Sequence, residues 1–471
     1  MSNLTWAATL IAVLLSLSAL AYGINKRTAP LLALHNSLWA VVLALVGSDL
    51  IQYHSASTIA WLTLFIGLTF FNLGAMFAAP NRKPPFPASA IAVESSPALM
   101  TRPTFFALFV IYACAFGYYL SVIATRYGLN TLISDPESIR GSEGESYLAM
   151  IPFGIRLLLY IGPFLIAVLG TKRAIVRPFS GTFRLFSLAI LAVSMMLLLQ
   201  RTNLFMGVLL LISLQLTAPR QSNNRLSLRG VSNAKKIIAL LSAGVILLVS
   251  FQVIAAAFAR SGGGPSDSNP AVSSTLRESG LYSPFHYATS GTAGFLGLVD
   301  STNDDWPPEP KFGYLLLGDH NPQTWGAATF APVLKAVPIA EPWDAITPFI
   351  DVGVLTNVFT WHEHFYRDFR QPGLAIAMLL YGFVAGMLFR NRFNTIRAYW
   401  LNAAVMTTVI FSPFAPKIGD TLFLTFVVVI LILTTTPFRR RVHHVTEGQP
   451  ISQETEFGVR RSPVAQTAER R

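Results

Sequence analysis

The chain has 471 residues, 52% of them hydrophobic and only 12% charged, with a formal charge of +12. A soluble chain carries about a quarter charged residues, so this composition excludes an ordinary soluble enzyme and a disordered scaffold. On a membrane protein a positive balance reports loop charge rather than nucleic-acid binding, and no nucleic-acid partner is expected. A single cysteine, Cys114, excludes an intrachain disulfide and a Cys-based metal site. It lies in an apolar run and reads as a buried, inert thiol.

Crossing a bilayer as a helix takes about 20 apolar residues. Candidate spans fall at 4–24, 31–48, 58–79, 104–125, 151–170, 185–200, 203–218, 237–259, 373–389, 398–411 and 420–436. The expected fold class is therefore an all-α polytopic membrane protein of about eleven transmembrane helices. The first run has no charged region before it, and Lys26 and Arg27 follow it. It reads as a retained helix, not a cleaved signal. Placing the amino terminus outside puts Lys26, Arg27, Lys172, Arg173, Arg390, Arg392 and the tail from Arg439 inside. The inner segments then hold about two thirds of the Lys and Arg but only about a fifth of the acids. This orients the carboxyl terminus to the cytoplasm. Four regions result: a bundle at 1–259, a large outer loop at 260–371, further helices at 372–437, and a basic tail at 438–471. The tail is placed near anionic headgroups.

Chemistry on the outer side meets no ATP and no nucleotide sugar. A lipid-linked donor, or a transporter with a lid, suits that geometry. The outer loop opens with Arg260 and Ser261-Gly262-Gly263-Gly264-Pro265. This run reads as a linker or a hinge, since it lacks the strand, helix and Lys of a phosphate loop. Beyond it come short helices and many rings, among them Phe285, Trp306, Trp325, Trp343, Trp361 and Phe365. Such rings either sit at the membrane interface or line a sugar-binding groove.

The densest polar stretch runs from Asn357 to Gly373. As a helix it sets Glu363 and Arg367, and His364 and Asp368, each pair at i, i+4. A carboxylate beside a histidine can orient the ring and tune it as a base. The plain alternative is a salt-bridged helix start. His362-x-His364 places its two rings on different helix faces, so no metal is expected. His286 could join a site only through folding. Three arginines stand where arginine is costly: Arg156 within a span, Arg201 between two spans, and Arg260 at the end of another. All face outward in this frame. They read either as an anion site or as side chains snorkelling to headgroups.

These features together resemble the bacterial oligosaccharide repeat-unit polymerases, the O-antigen polymerases of the Wzy type. The resemblance rests on Gln200-Arg201-Thr202-Asn203 between two spans, and on Thr356-Asn357-Val358-Phe359-Thr360 followed by Tyr366-Arg367-Asp368-Phe369 and Gly373. It also rests on the layout, with one large outer loop in the second half. The sequence departs from the family pattern at Arg370, which stands where Gly is frequent.

The resemblance implies an inverting, metal-independent glycosyltransferase of the bacterial inner membrane, with GT-C-like architecture and no cofactor. Donor and acceptor would be polyprenyl-pyrophosphate-linked oligosaccharides, polymerised into O-antigen, capsule or exopolysaccharide. A flippase and a chain-length regulator would be partners. His364, Glu363 and Asp368 would be the candidate proton acceptors. Arg156, Arg201, Arg260, Arg277, His286, Asn357, His362 and Arg367 would be candidates for holding pyrophosphate and sugar. An O-antigen ligase would use the same donor chemistry. A flippase is the competing class, disfavoured by the scarcity of ionisable residues near mid-span.

Overall fold

The computed structural model describes residues 2–78, 98–134, 139, 151–171, 174–198, 201–217, 270–279, 281–301, 328–330, 350–415 and 420–435. The elements run α1 (Asn3–Ile24), α2 (Ala29–Val46), α3 (Thr58–Phe77), α4 (Arg102–Arg126), α5 (Leu129–Ser134), α6 (Phe153–Leu159), α7 (Ile161–Gly170), α8 (Gly181–Leu197) and α9 (Arg201–Leu216). They continue with α10 (Ser274–Glu278), α11 (Tyr282–Ser301), β1 (Ile350–Asp351), β2 (Leu355–Thr356), α12 (Glu363–Asn391), α13 (Ile396–Phe411) and α14 (Thr421–Leu433).

Every expected span that falls on described residues is a helix. Span 237–259 lies outside them, as does the basic tail. Among the described residues, six helical segments are long and apolar enough to cross a membrane: α1, α2, α3, α4, the α6–α7 pair and α12. Shorter apolar helices are α8, α9, α13 and α14. Cys114, expected to be buried, is exposed on α4. Caps fix many starts: Ser57, Thr101, Ser180, Thr395 and Asp420 each accept a backbone N–H of the first turn of α3, α4, α8, α13 and α14.

Two helices break where proline demands it. Pro163 has no N–H and crowds the carbonyl four residues back, and the chain breaks at Tyr160 into α6 and α7. Pro372 acts likewise on α12, which begins ten residues before the expected span and kinks at Arg370 (φ 56°, ψ −158°). The first two turns of α12, from Glu363, thus form a separate head above the membrane-length part.

Packing divides the core into two clusters. One joins α1–α3, α10, α11, the β hairpin and α12. The other joins α4–α9 and α14. Helix α13 serves both, with Val405, Met406 and Val409 in the first cluster and Trp400, Ala403 and Ala404 in the second.

Helices α3 and α12 approach backbone to backbone. A Cβ on Gly382 would stand 2.1 Å from Phe71 O, and one on Gly74 would stand 2.0 Å from Leu379 O. Only glycine allows this approach, and small residues are the usual device for packing helices in lipid. Polar staples add to it. Asn36 of α2 and Asn72 of α3 exchange amide hydrogen bonds of 2.8 and 3.0 Å, and Asn36 also donates to Leu14 O of α1 at 3.1 Å.

The connection between α2 and α3 pairs with the chain ahead of α10. Gln52 N donates to Ala271 O at 2.7 Å and Ser273 N to Leu50 O at 3.0 Å. The same connection reaches the hairpin, where His54 N donates to Val352 O at 2.9 Å. Thus α10, α11, the hairpin and the head of α12 gather at one end of the bundle.

Candidate functional site

Five of the sequence candidates meet at the head of α12. His362 is fully buried, and both of its ring nitrogens are engaged. Trp361 Nε1 donates to His362 Nε2 at 2.9 Å. That leaves the ring proton on Nδ1, which lies 3.0 Å from Thr360 Oγ1. The ring packs against Trp39, Phe295 and the open face of Gly67. Burial, with the nearby His35, pushes its pKa well below the usual imidazole range. His362 is thus a neutral core side chain that seats the head of α12.

Glu363 and Arg367 form the i, i+4 pair read from the spacing, at 2.8 Å, and both are almost fully buried. Breaking such a buried pair costs about 3–5 kcal/mol. Glu363 turns its second oxygen to His364 Nε2, 3.4 Å away. Of the two side chains His364 is the one reaching solvent, 17% exposed against 1% for Glu363. Asp368 is fully buried. Its two oxygens accept the backbone N–H of Ala328 at 3.1 Å and of Thr329 at 2.7 Å.

The second cluster brings its own charges to this place. His364 feels Asp420 as well as its neighbours Glu363, Arg367 and Asp368. Asp420 also acts on Tyr160, as does Arg156. Asp420 is fixed by capping α14 through Leu422 N at 3.0 Å. Tyr160 is fixed by the break between α6 and α7. Arg156 is half-buried in α6 and stands over the Phe153 ring at 5.6 Å. Its buried Nε has no hydrogen-bond partner among the described residues. The site is composite through electrostatics: the imidazole–carboxylate pair at the head of α12 lies within electrostatic reach of Asp420, which in turn acts on Tyr160 beside Arg156.

The remaining candidates are placed as follows. Arg277 turns back on Val272 O with two bonds, of 3.0 and 2.7 Å. His286 stacks on Tyr282 in α11 at 5.5 Å, and burial lowers its pKa to about 4. Asn357 is half-buried between β2 and Thr360. Arg201 opens α9, and its side chain lies outside the described residues, as does all of Arg260. No group of three or more His, Cys, Asp or Glu placed to hold a metal ion occurs among the described residues.

Tyr160 and Asp420 were not candidates from the sequence. Asp420 had a local signal, a lone acid directly before an apolar run, which reads as a helix cap. Nothing local links it to His364. No family model matches the chain, and neither a curated protein nor a solved structure matches it.

Proposed function

We propose that the chain is a membrane glycosyltransferase that joins polyprenyl-pyrophosphate-linked oligosaccharide units on the extracytoplasmic face of a bacterial inner membrane. The observation that carries this reading is the composite site. A half-buried imidazole is backed by a carboxylate at 3.4 Å and lies within electrostatic reach of Asp420. Arg156, which acts on Tyr160 in the second cluster, has a buried Nε with no acceptor among the described residues.

In this reading a hydroxyl of one unit attacks the anomeric carbon of the other. The bond from that carbon to the pyrophosphate oxygen breaks, and its electron pair leaves with the polyprenyl pyrophosphate. His364 takes the hydroxyl proton. Glu363 faces Nε2, so Nδ1 is the nitrogen left to receive it, and Glu363 offsets the imidazolium charge that forms. Arg156 stabilises the charge that develops on the leaving pyrophosphate, with the Tyr160 hydroxyl as a second donor to the same oxygens. Arg201 and Arg260 are further candidates for that task from the sequence.

The test is surface polysaccharide from cells carrying His364→Gln or Arg156→Ala. Loss of a proton acceptor lowers a rate by about 10²–10⁴-fold, so single units should replace the polymer ladder while the protein stays in the membrane. Wild-type chain length in both variants would contradict the reading.

A further inference from the structure

Glu363, His364 and Asp368 are three possible proton acceptors in one short stretch of sequence, but their surroundings differ. Asp368 is fully buried, and each of its oxygens already accepts a backbone N–H, from Ala328 at 3.1 Å and from Thr329 at 2.7 Å. Ala328 is itself fully buried, whereas Phe330, two residues on, is 55% exposed. The partners come from the long connection between α11 and α12, some forty positions earlier in the chain. Hydrogen bonds from backbone N–H groups to a carboxylate are of the strong, charge-assisted kind. A carboxylate so occupied has a poor path to a substrate hydroxyl. His364, by contrast, keeps a solvent-reaching ring.

We infer that Asp368 is a positioning residue: it clamps the long connection, at Ala328–Thr329, onto the head of α12, and leaves proton transfer to His364. Pro372 makes this possible. It interrupts the helix beyond Asp368, so the head is a separate unit whose last turn can hold another segment. The clamp and the Glu363–Arg367 pair then fix His364 from two sides. The catalytic half of this inference rests on the glycosyltransferase reading; the clamp itself does not.

The experiment separates the two. In a Cys114→Ser background, Ala328→Cys should be protected from a membrane-impermeant maleimide, and Phe330→Cys should react freely. Adding Asp368→Ala should raise labelling of Ala328→Cys at least tenfold, toward the rate of Phe330→Cys. Asp368→Asn, which keeps the size and one acceptor oxygen, should give an intermediate rate and guards against simple misfolding. Protection unchanged in both Asp368 variants would overturn the clamp. In elongation assays, Asp368→Asn should lower the rate yet keep the wild-type pH midpoint, and His364→Gln should lose the pH dependence. A pH dependence lost in Asp368→Asn and kept in His364→Gln would assign the proton to Asp368 and overturn the second half. Wild-type protein that elongates nothing would sink the glycosyltransferase reading, and labelling would still decide the clamp.

Discussion

Arg370 adopts φ 56° and ψ −158° at the kink of α12. This region is open almost only to glycine, and a side chain there costs about 1–3 kcal/mol. Its guanidinium lies over the Tyr366 ring at 5.4 Å, which offsets part of that cost. Arg370→Gly should therefore stabilise the protein by roughly 1 kcal/mol after the entropy of the freer chain is counted. A thermal midpoint in detergent that falls instead would show that the stacked guanidinium outweighs the strain. The sequence already marked this position, because Arg stands where the resembled family often has Gly. It did not mark the His362 ring as buried and the His364 ring as reaching solvent. That distinction depends on Gly67, whose bare face receives the His362 ring; a Cβ there would sit 2.5 Å from His362 Cδ2. No spacing rule links residues so far apart in the chain.

Helices α3 and α12 meet backbone to backbone, and the spacing of Gly382 and Gly386 on α12 is a sequence signature of such contacts. A Cβ on Gly386 would lie 2.7 Å from Ala75 O, and one on Gly382 2.1 Å from Phe71 O. Gly382→Ala must push the helices apart, with an expected cost of about 1–3 kcal/mol. Gly117 in α4 is the control, since nothing lies within 4 Å of its would-be Cβ. Gly117→Ala should be neutral or stabilising by up to about 1 kcal/mol. Thermal unfolding of both variants checks the pair; equal midpoints would refute the tight contact. Span positions were legible because apolar runs are long and local. The helix start at Glu363 was legible too, from the i, i+4 spacing of Glu363 and Arg367; its continuation into the span was not, because Pro372 stands between them.

Two helical clusters share α13, and the composite site lies where their charged residues approach. Half of that site was legible: the polar stretch at 362–368 and the out-of-place Arg156 both stand out locally. The other half was not, since Tyr160 and Asp420 look like ordinary residues of a helix break and a cap. Only the fold brings Asp420 within electrostatic reach of both His364 and Tyr160. The described residues are mostly helical, with six segments among them fit to cross a membrane, and this leaves a transporter and a transferase both compatible with the fold. The chemistry at the seam is what favours transfer. The direct test is to reconstitute the purified full chain with polyprenyl-pyrophosphate-linked oligosaccharide and resolve the products by size. The expected result is a ladder rising by whole repeat units, with free polyprenyl pyrophosphate released in step, and no ladder from His364→Gln. Unchanged oligosaccharide, or its movement across the bilayer without elongation, would contradict the assignment.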